Sequence, residues 1–352
     1  MIFLSIDTSC DETSVALTNG QQILSNVISS QVKEHGRFGG VVPMLAQRLH
    51  KERIDRVIAL ALQRAHCLPA DVEAVAVTYG PGLAPALQVG IEAAKKCSLE
   101  YAVPLYTVDH MLGHLFSPFG QVGSNKPPTI ITPLLAVLVS GGHTELIRMI
   151  KVGQYEVVGE TVDDALGEAY DKVAVMLGLG YPGGQALAIL AENGRPDRYN
   201  LPIPMQQSGN LNLSYSGLKT ATRVLIKHLK EEYGEALPEP IIKNVAASFQ
   251  YVAQRALLLK IERALVQYSD TKMLVLSGGV AANTVLRAQV RLLAVQRGLA
   301  VAIPRSKRMT ADNAAMIGVA AWFHQQAGQL PANLALLDRN PSLRVDQSAL
   351  FH

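Results

Sequence analysis

Two histidines four residues apart, His110 and His114 in V-D-H-M-L-G-H (108–114), have the types and spacing to hold a metal. If that stretch is helical, both imidazoles leave one face, one turn apart. Neutral imidazole is a common ligand for zinc and iron. Two ligands do not make a site, and a helix can also carry such a pair idly on its surface. Three further stretches place small polar or glycine residues at the end of an apolar strand. D-T-S-C-D-E-T (7–13) follows I-F-L-S-I and gathers hydroxyls, backbone N–H groups and carboxylates at a hairpin tip. Such a tip can cradle phosphate, although Ser, Thr and Asp also form ordinary turns. S-G-G-H-T-E (140–145) follows L-L-A-V-L-V with the same hairpin logic. M-L-V-L-S-G-G-V-A-A-N (273–283) ends a strand in Gly-Gly, which lets a flat group such as adenine or ribose lie on bare backbone.

The elements that must position these residues follow from periodicity. Residues 2–7, S-V-A-L-T and I-L-S-N-V read as three strands joined by a polar turn and an Asn-Gly turn. The loop H-G-R-F-G-G-V-V-P (35–43) leads to a helix from about Met44 to Ala65, in which His50 reads as packing or surface rather than ligand. A strand at 73–78, a Gly-Pro loop and a helix at about 86–98 make a βα unit, and a strand at 103–108 runs into the histidine pair. Ser117-Pro118 ends the histidine helix. Residues 120–133 are rich in Gly, Pro and polar types and read as a boundary, after which the strand–tip–strand pattern restarts. Helices are expected over 161–179, up to Tyr233 after N-L-S-Y-S-G-L-K-T, over 240–268, from Asn283 as N-cap, and from Asp312-Asn313 to Gln326. The expected organisation is an α/β chain with an N-terminal lobe (1–120), a C-terminal lobe (130–327) and an irregular tail (328–352).

The bulk numbers narrow the classes. A chain of 352 residues fits about two or three domains on a prior of ~100–200 residues each. With 49% hydrophobic and 17% charged residues it can build a core, so global disorder is excluded. Net charge is only +3, so any nucleic-acid surface must be a local patch. Candidates are Arg37, Arg48, Lys51, Arg53 and Arg56 in the first half, and Arg287, Arg291, Arg297, Arg305, Lys307 and Arg308 in the second, each of which is also an ordinary solvated residue. Three cysteines, Cys10, Cys67 and Cys97, make no C-x-x-C pair and fit a reducing compartment. The first residues lack a basic run, and no apolar run approaches a membrane span, so a cytoplasmic protein with no membrane contact is expected.

Ten stretches in one order carry a resemblance. They are D-T-S-C-D-E-T (7–13), G-G-V-V-P (39–43), G-P-G-L (80–83), H-M-L-G-H (110–114), L-V-S-G-G-H-T-E (138–145), D-D-A-L-G-E-A-Y-D-K (163–172), Y-P-G-G (181–184), S-Y-S-G-L-K-T (214–220), S-G-G-V-A-A-N (277–283) and D-N-A-A-M-I (312–317). Over about residues 2–325 the sequence resembles the TsaD family, catalytic subunits of bacterial tRNA threonylcarbamoyladenosine synthase. The resemblance implies the two-lobed fold of actin, Hsp70 and sugar kinases with an interlobe cleft. It implies transfer of a threonylcarbamoyl group from threonylcarbamoyl-adenylate to N6 of the adenosine beside the anticodon, in tRNAs reading codons that begin with A, with release of AMP. It places metal ligands on His110, His114 and Asp312 for one Fe(2+) or Zn(2+). It places substrate contacts on Leu138, Val139, Ser140, Gly141, Gly142, Asp171, Gly184 and Asn283. Partners implied are tRNA, a TsaB-like subunit and a TsaE-like ATPase. Two departures stand out: Met44 where the family usually has Glu after G-G-V-V-P, and Ala311 where it has Thr before Asp-Asn.

On that reading, backbone N–H groups after Ser140 can meet the phosphate or acyl oxygen. His143 and Glu145 are acid–base candidates, Glu145 being equally readable as a strand-end carboxylate. Asp171 would bond ribose or adenine, or else pair with Lys172 or Arg198. The attacking amine is a poor nucleophile, so a general base helps. Asp7, Asp11 and Glu12 are the nearest carboxylates, and Asp11 is the expected base. Cys10 is not expected to act as a nucleophile, since an acyl-adenylate is already activated. A metalloprotease would need H-E-x-x-H, but Met111 follows His110. The rivals are an ATP-dependent kinase or carbamoyltransferase of the same superfold, and a nucleotide-bound scaffold.

Overall fold

The computed structural model describes residues 1–347. They pack into two compact units. The first comprises Met1–Leu134, Met149–Glu156 and the chain from Ala302 onward, the second Leu135–Arg148 and Val157–Val301.

In the first unit, β1 (Ile2–Asp7), β2 (Glu12–Asn19), β3 (Gln22–Ser30), β4 (Ala74–Gly80) and β5 (Leu105–Asp109) form one sheet in the order β3-β2-β1-β4-β5. β1 pairs antiparallel with β2 and parallel with β4, and β4 is parallel to β5. The twofold alternation of a strand then decides what faces what. Leu4 and Ile6 of β1, with Val15, Leu17, Val75 and Val77, join Ile54, Val57, Ile58 and Leu62 of α2 (Pro43–Ala65) and Val89 and Ile91 of α3 (Ala84–Tyr101) in one apolar cluster. Each such aliphatic side chain contributes roughly 1.5–3 kcal/mol on full burial. Ser5 and Thr18 point to the other face, where α10 (Ala314–Gln326) lies. A Cβ on Gly318 of α10 would stand 2.5 Å from Ser5 Oγ and 2.6 Å from Thr18 Oγ1, so only glycine lets the helix sit this low on the sheet. Asp7 shares the parity of Ser5 and thus the α10 face. A short helix, α1 (Val32–Gly36), precedes α2, and α4 (His110–Phe116) follows β5 directly.

The second unit is built on β6 (Leu134–Val139), β7 (Thr144–Lys151), β8 (Gln154–Glu160), β9 (Met273–Ser277) and β10 (Ala300–Ala302), in the order β10-β9-β6-β7-β8. Each sheet thus reads third, second, first, fourth, fifth strand of its half, which is the repeat expected from the restarted pattern. Its helices are α5 (Leu166–Met176), α6 (Gly184–Ala191), α7 (Ser216–Tyr233), α8 (Glu239–Gln267) and α9 (Thr284–Gln296). Gly278 has φ +94°, and a Cβ there would lie 2.3 Å from Val139 O, so bare backbone lets the β9–α9 turn rest on the end of β6.

One expectation is corrected. The stretch 130–327 is not one unit: residues from Ala302, including α10, belong with the first, because α10 buries its small apolar residues on β1 and β2. The tail is irregular but not loose. Ala332 N donates to Leu105 O (2.7 Å), Asn340 N to Tyr79 O (2.7 Å) and Lys95 Nζ to Leu337 O (2.7 Å). Leu343 and Val345 are buried. Residues 348–352 of that tail lie outside the described residues.

Candidate metal centre

β5 delivers the histidines. It ends at Asp109, whose carboxylate accepts from the backbone N–H of Met111 (2.7 Å) and Leu112 (3.1 Å). This N-cap turns strand into α4 without an intervening loop. Every residue of α4 is buried, His110 being 6% and His114 0% exposed, which removes the reading of an idle surface pair. The two rings meet edge to face with centroids 4.8 Å apart. Asp312 arrives from the segment before α10. Its neighbour Asn313 caps that helix, accepting from Met316 N (3.1 Å) and donating through Nδ2 to Ala311 O (2.8 Å). His114 Nε2 lies 3.1 Å and His110 Nε2 3.5 Å from Asp312 Oδ1. Ligand atoms of the three residues all fall within 4.8 Å of one another. All three belong to the first unit, so Asp312 does not come from the lobe to which the sequence assigned it.

Electrostatics follow from this crowding. Burial pushes the Asp312 carboxyl up, but the imidazoles of His110 and His114 outweigh it and hold the group well below the usual carboxylate range. Burial pushes His110 down, but Asp312 and then Asp7 outweigh it and raise the imidazole well above its ordinary value. Asp7 Oδ2 stands 3.5 Å from His110 Nδ1. Among the described residues, Asp7 Oδ2, His110 Nδ1 and His114 Nδ1 have no hydrogen-bond partner despite burial. Two imidazole nitrogens and one carboxylate, buried and converging, fit a divalent metal with coordination positions left open.

The β1–β2 tip carries Cys10, Asp11 and Glu12, all half-buried. Burial, then the charges of Asp11 and Asp312, pushes the Cys10 thiol up, so it is no thiolate nucleophile. Burial, then Asp312 and Asp11, pushes the Glu12 carboxyl well up. His50 is a buttress: Nδ1 is 2.8 Å from Thr13 Oγ1 and Nε2 3.0 Å from Cys10 O. A carbonyl only accepts, so Nε2 carries the proton and Thr13 donates to Nδ1. Met44 is exposed at the start of α2, and Ala311 is exposed beside Asp312.

The other predicted residues form a chain of contacts in the second unit. Leu138 and Val139 are fully buried, backbone included, so neither presents a surface to a ligand in this structure. Ser140 N donates to His143 O (2.8 Å), and His143 N to Ser140 Oγ (3.1 Å), closing the tip. A Cβ on Gly141 or Gly142 would meet nothing within 4 Å, so this backbone lies open. Gly167 N donates to Ser140 O (3.2 Å), which sets α5 against the tip. One turn along, Asp171 Oδ1 accepts from Gly183 N (2.9 Å) and Gly184 N (2.7 Å). Asp171 is therefore no partner of Lys172, which pairs with Asp164 (2.9 Å) and Glu168 (2.7 Å). Burial raises the Asp171 carboxyl. Asn283 caps α9 by accepting from Leu286 N (3.0 Å), while its Nδ2 donates to Gln250 Oε1 (2.8 Å). Sequence reasoning missed Asp109 as cap, Asp7 as partner of His110, and Gln250. An Asp directly before a helical histidine was a usable signal for the first; the other two depend on tertiary placement.

Two five-stranded sheets of equal strand order, flanked by helices, define the class of actin, Hsp70 and sugar kinases, here with a two-histidine, one-carboxylate centre. A solved structure of full-length HypF in its phosphate- and nucleotide-bound form shares the fold, with TM-score 0.58 and 14% identity over 93% of this chain and 46% of that one. Within the class, the profile of TsaD, tRNA N6-adenosine threonylcarbamoyltransferase, matches residues 22–319. The enzyme of that name from Bacillus subtilis (strain 168) is 45% identical over 330 residues, 93% of this chain and 92% of its own. That from Streptococcus pyogenes serotype M5 is 46% identical over 345 residues, 98% and 96% of the two chains. The chain belongs to the TsaD family and is an acyltransferase.

Proposed function

We propose that the chain transfers the threonylcarbamoyl group of threonylcarbamoyl-adenylate to N6 of the adenosine beside the anticodon, in tRNAs reading codons that begin with A. The observation that carries this reading is the convergence of His110, His114 and Asp312 in a member of this family. A divalent ion held there, Fe(2+) or Zn(2+), would act as Lewis acid toward the acyl carbonyl and fix its orientation. The bond from N6 to the carbamoyl carbon forms, the bond from that carbon to the phosphate oxygen breaks, and the electron pair leaves on AMP. The N6 proton passes to a base at the β1–β2 tip. Burial, then Asp312 and Asp11, raises the Glu12 carboxyl well above its ordinary value, and the role of base is assigned to Asp11. In the second unit, the open backbone of Ser140–Gly142 donates to the phosphate or acyl oxygen. Asp171 Oδ2 accepts from ribose or adenine, since Oδ1 is committed to Gly183 and Gly184. Asn283 keeps one Nδ2–H for the ligand, the other being committed to Gln250.

The same reading includes TsaB-like and TsaE-like partner subunits and a cytoplasmic location. The location is supported by three free cysteines, which fit a reducing compartment. The test is a transfer assay with the chain and its partner subunits, adenylate and tRNA. Modified adenosine and AMP should appear in equal amounts. His110→Ala should keep the fold by circular dichroism and lose both bound metal and transfer. Full transfer by a metal-free His110→Ala protein would sink the role given to the centre, and ADP release from ATP would replace the reaction with that of a kinase.

A further inference from the structure

We propose that a cationic groove beside the metal centre seats a backbone phosphate of the substrate RNA. This rests on the reaction proposed above. The groove has a volume of about 210 Å³ and lies wholly within the first unit. One wall runs from Ser117 to Pro128, the other from Arg305 to Met309. Each wall directly continues a ligand-bearing segment: Ser117 follows His114 by three residues, and Met309 precedes Asp312 by three. Three residues of helix advance the chain by about 4.5 Å, so the Ser117 end of the groove lies near His114 along α4, and three residues of irregular chain keep Met309 within about 10 Å of Asp312. The walls are tied together by a hydrogen bond from Ser117 Oγ to Met309 O.

Lys126 and Arg305 line the groove, and Lys307 and Arg308 stand exposed on the short turn beside it. Among the described residues none of these four side chains takes part in an ion pair. Of the first-half candidates, Arg37, Lys51 and Arg56 likewise have no ion pair among the described residues, whereas Arg53 and Arg48 do. Arg53 is engaged by Glu34 and by Ser30 O, and Arg48 lies 3.6 Å from Glu52. Four unneutralised cations around a concave surface are suited to phosphodiester oxygens. The reaction requires one adenosine to stand at the acyl carbonyl. A flanking phosphate held next to the metal ligands would fix that nucleotide's backbone and leave its base free to turn inward.

The test uses the chain with its partner subunits and bound metal, and two variants, Arg305→Glu and the double variant Lys126→Glu/Arg305→Glu. Unmodified tRNA is titrated at several salt concentrations, with metal content and adenylate affinity measured in parallel. The double variant should lose about tenfold or more in tRNA affinity, and its dependence of log affinity on log salt should be shallower by roughly one unit, for the one phosphate no longer neutralised. Metal content and adenylate affinity should not change. Unchanged tRNA affinity and slope would overturn the groove assignment while leaving the reaction standing. Failed assembly with the partner subunits, at unchanged tRNA affinity of the isolated chain, would assign the groove to a protein and overturn it too. A wild-type complex that binds tRNA but does not modify it refutes the underlying reaction and leaves the groove standing, whereas one that does not bind tRNA overturns both.

Discussion

His110 is held between two carboxylates, one on each ring nitrogen. Asp312 faces Nε2, the nitrogen turned to the centre, and Asp7 stands behind Nδ1. A carboxylate behind a metal-bound imidazole fixes its tautomer and raises its basicity. Asp7→Asn should therefore weaken metal binding by about 10–100-fold, read by competition with a chelator. A second readout separates this from a packing defect. In the metal-free chain Asp312 and Asp7 raise His110, and that proton must leave before Nε2 binds metal. Metal affinity should fall as pH drops through the raised His110 value. Removing Asp7's charge should move that fall to lower pH. The histidine pair was legible in the sequence because i, i+4 spacing is a local fact. Asp312 was not, since 198 residues separate it from His114, and only the ordered motifs pointed to it. Asp7 was visible as a carboxylate but not as a partner, because the strand-face parity that aims it at His110 matters only once α10 and α4 are placed.

α10 joins the centre to the core of the first unit. Its N-terminus is fixed by Asn313 beside Asp312, its middle by the seat of Gly318 on β1 and β2, and its last turn by His324. His324 is buried, its Nε2 2.8 Å from Tyr155 OH and its ring edge-on to Phe116 at 5.3 Å. Burial lowers this imidazole from 6.5 to about 3. A depressed value means that the unfolded chain takes up the proton first, so the stability contribution is complete above pH 6.5 and is lost as pH falls toward 3. His324→Gln keeps a polar partner for Tyr155 without titrating. Urea melts across that range should show a shallower acid limb than the parent chain. The sequence of α10, small and apolar on every side, announced burial but not against which sheet. That is why the expected lobe boundary failed there while the ends of α2, α7 and α8 fell within a few residues of expectation.

The metal residues and the proposed adenylate residues lie in separately packed units, so the two functions should come apart by mutation. Asn283→Ala should weaken adenylate binding, measured by calorimetry with a hydrolysis-resistant analogue, and leave metal content intact. His114→Ala should do the reverse. Loss of both from either change would show one cooperative structure instead. The repeat of strand order was legible because each half restarts with the same strand and polar tip, whereas the return of the chain to the first unit was carried by contacts no local pattern encodes. That return imposes an order in time. A ribosome delivers His110 and His114 early and Asp312 only after the whole second unit has emerged, and domains tend to fold as they appear. Throughout that interval the first sheet lacks the helix that covers one of its faces, and two imidazoles wait without their carboxylate. Any metal the centre holds is thus acquired only near the end of synthesis or after it, and a message cut short before that point yields a chain with both histidines and no centre.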